Sequence, residues 1–188
     1  MEKKYTIVGI DEAGRGPLAG PVVAASIIID EKLLPEDIDD SKRISEKKRK
    51  LLYKNLIKDA SQLGIGIIDS EEIDKINIHN ATLKAMKESF DKIICDDCII
   101  YIDGIHKPKI REKSYAIKHG DRFVPVISAA SIIAKVTRDK IMEEIDEEFP
   151  LYNFKKHKGY PTKQHIENIK KFGICKYHRK TFSPISKL

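Results

Sequence analysis

Three apolar, β-branched runs open the chain, at residues 5–10, 21–29 and 63–68, and beyond them helical patterns alternate with further strands. Strands met first in succession and then in alternation with helices predict a mixed sheet with helices packed on it. Ser45 precedes a helical pattern that reaches residue 59, with Leu51, Leu52 and Leu56 as its apolar positions. A second amphipathic helix is expected over residues 80–94, with Leu83, Met86 and Phe90 on one side. Short strands follow at residues 99–103 and 115–118. The longest helix is expected over residues 128–149, where Ser128, Ala129, Ala130 and Ser131 are small enough to let a neighbour approach and Pro150 stops the helix. Pro161 and Thr162 open a last helix that runs to residue 171. A chain of 188 residues suits one well-cored domain, divided here into a main unit over residues 1–150 and a basic helical extension of the same domain over residues 151–188.

Several of these runs end on acids. Asp11 closes the first, with Glu12 beside it; Asp103 closes a later one, and Asp121 follows the run at residues 115–118. A single acid in such a place usually caps a helix or solvates a turn. Several that converge are another matter, because two carboxylates about 4 Å apart repel by roughly 4 kcal/mol at an effective dielectric of 20. Such a cluster needs protons or cations, and all-oxygen ligation favours hard ions such as Mg²⁺ or Mn²⁺. Two such ions about 3.5–4 Å apart steady both the attacking and the leaving oxygen of an in-line phosphoryl displacement, which connects clustered acids to phosphodiester cleavage.

Neighbours on a regular strand point to opposite faces, so the backbone is expected to leave strand geometry at Asp11 and Glu12 if both serve one site. Gly14, Gly16 and Pro17 supply a departure. The Gly14-Arg15-Gly16 turn lets backbone groups approach a ligand closely, and Arg15 adds a fork that matches phosphate. It lacks the third glycine of a dinucleotide fingerprint and the Lys-Ser/Thr of a phosphate-binding loop, which argues against a nucleotide cofactor.

Charge is unevenly spread. The net charge of +6 divides into +9 over residues 151–188, where Glu167 is the single acid, and −3 over residues 1–150. A basic segment this dense attracts phosphate backbones without reading sequence, and Tyr152, Phe154, Tyr160, Phe172, Tyr177 and Phe182 are available there to stack on bases or sugars. The equal alternative is a lysine-rich solvated face whose aromatics pack inward. Cys95 and Cys98 form a CxxC without a second pair to complete a zinc site, and with Cys175 they read as small, reduced, buried hydrophobes; redox or metal use is the other reading. The longest apolar run, residues 22–29, is far short of the roughly 20 residues of a membrane span, and the expected location is the cytoplasm. His79, His157, His165 and His178 lack metal spacing and read as structural or substrate-facing. Asp139 reads as a salt-bridge partner on a helix surface.

The run Gly9-Ile10-Asp11-Glu12-Ala13-Gly14-Arg15-Gly16-Pro17-Leu18-Ala19-Gly20-Pro21-Val22 closely resembles the opening motif of bacterial ribonuclease HII, the type 2 ribonuclease H family. The resemblance continues in the family's order through Asp40-Ser41-Lys42, Asn77-Ile78-His79-Asn80-Ala81-Thr82, Asp103-Gly104, Gly120-Asp121, the stretch from Ser128 to Asp139, His157-Lys158-Gly159-Tyr160-Pro161-Thr162 and His178-Arg179. Departures are mild: Arg43-Ile44 replaces the commoner Lys-Leu, Arg122 follows Asp121, and Lys180-Thr181-Phe182 stands where Ser-Phe is more usual.

The resemblance implies an α/β ribonuclease H-like fold, a mixed five-stranded sheet flanked by helices, with the basic extension closing over the substrate. It implies that Asp11, Glu12, Asp103 and Asp121 are catalytic carboxylates holding Mg²⁺ or Mn²⁺, two ions once substrate is bound. It further implies that Gly14, Arg15 and Gly16 present their backbone to a 2′-hydroxyl, that Tyr160 packs on the following sugar, and that Lys42 contacts phosphate. The expected reaction is hydrolysis of RNA in RNA–DNA hybrids and cutting at single ribonucleotides in duplex DNA, leaving 5′-phosphate and 3′-hydroxyl ends.

No obligate protein partner is evident, no sliding-clamp motif stands at the C-terminus, and a monomer is expected. The nearest rival is a type 3 ribonuclease H acting on hybrids only, a family that typically carries an extra N-terminal domain, whereas four residues precede the first strand here. A non-catalytic nucleic-acid-binding module is a second rival. A nucleotide-binding oxidoreductase, suggested by CxxC and GxG, is a third.

Overall fold

The computed structural model describes residues 5–35, 38 and 44–187. Five strands form one sheet: β1 (Thr6–Ala13), β2 (Val22–Ile28), β3 (Gln62–Ile68), β4 (Cys98–Asp103) and β5 (Lys113–Ile117), in the order β3-β2-β1-β4-β5. The first three make an antiparallel meander, while β4 and β5 run parallel to β1. The sheet is therefore mixed, as the order of strands and helices predicts. β1 lies at its centre and is the strand shared by the antiparallel and parallel halves.

Six α-helices accompany this sheet among the described residues: α1 (Glu46–Asp59), α2 (Ser70–Phe90), α3 (Gly120–Phe123), α4 (Pro125–Glu148), α5 (Phe154–His157) and α6 (Lys163–Phe172). Side-chain alternation along β1 and β2 divides the core in two. On one face Val8, Ile10, Val22 and Ala24 meet Ile73, Ala81, Ala85, Met86 and Phe90 of α2. On the other Ala25 and Ile27 meet Leu52 and Leu56 of α1 and the apolar side of α4. Ile10, Ile27, Ile100, Ile102, Ile132 and Ile133 are fully buried, and each contributes about 1.5–3 kcal/mol relative to an exposed side chain.

The helix starts follow from local chemistry. Ser45 caps α1 by accepting the Lys48 amide, and Asp69 caps α2 by accepting that of Glu72. The helix expected from residue 80 in fact begins ten residues earlier, because α2 carries an internal break at Asn77, where φ is 65°. The Asn77 side chain accepts the Asn80 amide at 3.1 Å, which restarts the helix but shifts its apolar phase, so Ile73 falls out of step with Met86 and Phe90. Likewise α4 begins at Pro125 rather than 128, since proline's fixed φ suits a first helical turn. Cys98 is buried at the head of β4 and Cys95 is half-buried against the same core, whereas Cys175 is half-buried apart from them with its Sγ 3.2 Å from His178 Nδ1.

The segment after α4 folds back over one end of the sheet. Tyr152 and Phe154 pack with Ala19, Met142 and Ile145, and Ile169 and Ile185 pack with Leu18. Tyr177, His178 and Arg179 lie along residues 18–20: the Gly20 amide donates to Tyr177, His178 bridges to Ala19, and the Arg179 amide donates to Leu18. Of the six aromatics in the basic segment, Tyr160 and Phe172 are exposed, whereas Tyr152 and Phe154 are buried. The inward-packing alternative therefore holds for part of this aromatic set. No described helix is long and apolar enough to cross a membrane.

Candidate active site

The parallel half of the sheet brings the acids together. β1, β4 and β5 point the same way, so their C-terminal ends share one edge, the edge of open α/β sheets at which ligands bind. The register that pairs Ile10 with Ile102 sets Asp11 beside Asp103, both on the α4 side of the sheet. Asp121 arrives from α3, just beyond β5. Its amide donates to Asp103 Oδ1 at 3.3 Å, and its carbonyl accepts the Ser128 hydroxyl at 2.7 Å. Asp11 and Asp121 are both 4% exposed.

β1 does not leave strand geometry at Asp11 and Glu12. It stays paired with β2 through Ala13, with Asp11 opposite Ala25 and Glu12 opposite Ala24, and the chain turns away only at Gly14. Strand alternation starts the Glu12 side chain toward the face opposite Asp11, yet at the strand end its carboxyl still reaches the Asp11 side chain within hydrogen-bond range. The two acids still share one edge of the sheet, close enough for their charges to interact. Continued pairing is the more stable solution because two central backbone residues would otherwise lose their ladder hydrogen bonds in a buried setting.

The electrostatics of this edge are costly. Burial holds the Asp11 carboxyl well above the usual carboxylate range, the nearby charges of Glu12 and Asp103 push it further, and hydrogen bonds from the Ser131 hydroxyl and the Glu12 amide oppose the rise. Burial also raises Glu12, against the pull of Arg15, whose Nη1 stands 3.5 Å from Glu12 Oε1. An all-oxygen anionic set of this kind fits a hard divalent cation, whose charge would offset the repulsion. As they stand the side chains do not close around such an ion: among the described residues no group of three or more His, Cys, Asp or Glu is arranged to hold a metal. Asp11 Oδ1 instead accepts the Glu12 amide at 2.7 Å.

The glycine turn borders these acids. Gly14 has φ +100°, and a Cβ there would run into the Arg138 side chain and the Pro21 carbonyl, so no other residue fits without displacing them. Arg15 and Gly16 are exposed. The nearest neighbour that a Cβ on Gly16 would meet is the Tyr160 ring, at 3.7 Å. The fold thus brings Gly16 and Tyr160 together from opposite ends of the chain. Lys42 lies outside the described residues.

Buried supports hold both partners, and sequence reasoning assigned no role to them. Arg138, 1% exposed, donates to the carbonyls of Pro21, Ala19 and Lys158 at 2.9, 3.1 and 3.0 Å. Arg179, fully buried, donates to the carbonyls of the turn itself. Burial draws Arg138 down to about 10 and Arg179 to about 9, which leaves both cationic at neutral pH.

Behind Tyr160 runs a histidine chain. The Cys175 amide donates to His178 Nδ1 at 2.9 Å, so His178 Nε2 carries the proton and donates to His165 Nε2 at 3.1 Å. His165 Nδ1 then donates to the Tyr160 carbonyl at 2.9 Å. Burial pulls both rings down to about 4, and His157, stacked on His165, is lowered as well; all three are neutral structural groups at neutral pH. Asp139 pairs with Lys135 at 2.6 Å as expected of a salt-bridge partner, although it is buried rather than at the surface. The signal available in the sequence for Ser128 and Ser131 was their spacing of three, which puts both hydroxyls on the helix face that meets the acids.

The model of the ribonuclease HII family matches residues 8–185. The chain is 46% identical over 176 residues to ribonuclease HII of Caldicellulosiruptor bescii, covering 94% of this chain and 85% of that protein. It is 48% identical to ribonuclease HII of Francisella tularensis subsp. novicida, covering 97% and 98%. Among solved structures it is similar to ribonuclease H2 from Pyrococcus horikoshii, with a TM-score of 0.81 at 26% identity, covering 97% of this chain and 96% of that one. The ribonuclease H-like architecture expected from the motifs is the one found.

Proposed function

This chain belongs to the ribonuclease HII family, and we propose that it cuts RNA–DNA hybrids and, on the 5′ side of a lone ribonucleotide, duplex DNA. Membership of the family makes it an enzyme, a ribonuclease that hydrolyses phosphodiester bonds. The observation that carries the finer reading is the proximity of the Tyr160 ring to Gly16, close enough that a Cβ on Gly16 would meet it, at the rim of the acid edge. It sets exposed backbone and a phenol side by side next to Asp11 and Glu12, and the 2′-hydroxyl is the group that separates RNA from DNA at one position.

In this reading Asp11, Glu12, Asp103 and Asp121 hold divalent ions, Mg²⁺ or Mn²⁺, two of them with substrate present. When bound, such ions supply charge neutralisation at the phosphate and activation of the attacking water. The protein's own groups do the selecting. The turn from Gly14 to Gly16 hydrogen-bonds the 2′-hydroxyl, Tyr160 packs on the following sugar with its hydroxyl toward the same group, and Arg15 and Lys42 meet phosphates. Residues 151–188 act as the basic extension that covers the duplex, and hydrolysis leaves 3′-hydroxyl and 5′-phosphate ends. Groups desolvated for a 2′-hydroxyl are left unpaired by plain DNA, which is why it is rejected.

The test compares wild type with Tyr160→Phe and Tyr160→Ala on a DNA duplex carrying one ribonucleotide and on a continuous hybrid. Wild type should cut 5′ of the ribonucleotide. The Phe variant should lose roughly 1–3 kcal/mol of transition-state stabilisation, and the Ala variant more. A wild type that cuts the hybrid but ignores the single ribonucleotide replaces this reading with a type 3 specificity. Variants as fast as wild type remove Tyr160 from sensing.

A further inference from the structure

The turn that carries Gly14, Arg15 and Gly16 is held from beneath by one side chain. Arg179 Nη2 donates to the Gly14 carbonyl at 2.7 Å and the Gly20 carbonyl at 2.8 Å, Nη1 to those of Arg15 and Pro17 at 3.1 and 2.8 Å, and Nε to Gly20 at 3.0 Å. These bonds use every N–H a guanidinium owns, and every acceptor is backbone. The group is fully buried and its plane lies over Phe182 at 5.0 Å.

Peptide geometry turns this grip into an orientation. Across a trans peptide the carbonyl of one residue and the amide of the next point in opposite directions. With the Gly14 and Arg15 carbonyls drawn inward, the amides of Arg15 and Gly16 are turned outward. Neither amide has a protein partner among the described residues. The other two gripped carbonyls present nothing: the Leu18 amide is taken by Gly159 at 2.8 Å, and Pro21 has no amide hydrogen. The grip therefore leaves two adjacent amides on offer, beside the Tyr160 ring that a Cβ on Gly16 would meet.

We propose that Arg179 is the positioning residue of the 2′-hydroxyl sensor, presenting the Arg15 and Gly16 amides to the substrate by holding the carbonyls behind them. The proposal rests on the reading of the glycine turn as that sensor. Lysine at this position keeps the charge, but its three tetrahedral donors cannot reach four carbonyls in one plane.

The experiment measures affinity, without divalent metal so that nothing is cut, for an all-DNA duplex and for the same duplex with one ribonucleotide. Wild type should prefer the second. In Arg179→Lys that preference should fall roughly tenfold while affinity for the all-DNA duplex, set by phosphate contacts, changes less than about twofold. Asp74→Asn is the control: Asp74 accepts the amides of Lys180 and Thr181, so its loss loosens the same segment without touching the turn. An equal fall in that variant would show that slack in the segment is the cause, and would overturn the proposal. So would a preference that Arg179→Lys retains. A wild type with no preference overturns the sensor reading itself, and the proposal with it. Should Arg179→Lys not fold, Phe182→Leu removes only the ring beneath the guanidinium: a preference reduced about threefold supports the proposal, and an unchanged one overturns it.

Discussion

Two centres of buried charge adjoin the C-terminal end of β1, and they are built on opposite principles. Under the glycine turn, Arg138 and Arg179 give their guanidinium protons to backbone carbonyls and need nothing from outside. At the end of the parallel strands, Asp11, Glu12 and Asp103 oppose one another, and the Ser131 hydroxyl and the Glu12 amide offset only part of the cost at Asp11. A buried charge with a full set of partners stabilises a particular backbone path. A buried cluster that is strained by like charge points to chemistry, because what relieves it must be brought in. The same chain thus carries one centre whose charge is matched from within and another whose charge is not.

The largest expected effect breaks the second centre. Asp103→Asn is nearly isosteric and removes one of the opposed charges, so the metal-free protein should melt no lower than wild type. Its turnover on a hybrid should nevertheless fall by roughly a thousandfold or more, through weakened metal binding. Thermal melts and single-turnover cleavage at saturating Mg²⁺ check both halves. Near-normal turnover would remove Asp103 from the site, and a large drop in melting temperature would show that the acids are structural after all.

Breaking the first centre should give the reverse pattern of cause. Arg138→Met keeps most of the volume but strands the carbonyls of Ala19, Pro21 and Lys158, and should cost about 3–5 kcal/mol in urea unfolding. Added Mg²⁺ should not restore this loss. If stability is unchanged, carbonyl satisfaction is not what holds the turn, and the contrast between the centres fails.

The smallest effect sharpens the contrast by pH. His165 and His178 sit at about 4 in the folded state against about 6.5 unfolded, so the folded form binds fewer protons between those values. Their contribution is fully present above pH 6.5 and is lost as pH falls toward 4. From pH 7 to pH 5 the loss should approach about 2 kcal/mol per ring. Asp11 has the opposite sign: its raised folded value means that acid relieves it. Amide exchange at Tyr160 and Gly159 should therefore quicken on acidification while exchange along β1 changes least. Uniform quickening would mean that the histidine chain is not the weak element.

Much of this was legible in the residues. The strand count, the mixed sheet and the acids at strand ends follow from apolar runs and their terminators, which depend on local chemistry and periodicity. The glycine turn was legible because two glycines and a following proline break a strand by residue type alone. Ranges failed where one residue overrode its neighbours, as at Asn77, whose positive φ restarts a helix that hydropathy alone places later. Asp11 and Glu12 show the same effect in reverse: pairing with β2 on a central strand outweighs the pull of the turn and keeps the backbone extended through Ala13.

What the sequence by itself determined is the inventory: four acids at the ends or margins of short apolar runs, a glycine-rich turn, and a cationic C-terminal segment, all set by residue type and spacing. The tertiary structure decided how these meet. Parallel pairing of β1 with β4 placed Asp11 beside Asp103, and the return of the last segment across residues 18–20 brought Arg179 beneath the turn and Tyr160 against Gly16. No local pattern marks a contact between residues so far apart in the chain. It exists because burying the apolar faces of the C-terminal helices against Leu18, Ala19 and Met142 outweighs leaving a lysine-rich segment free in water.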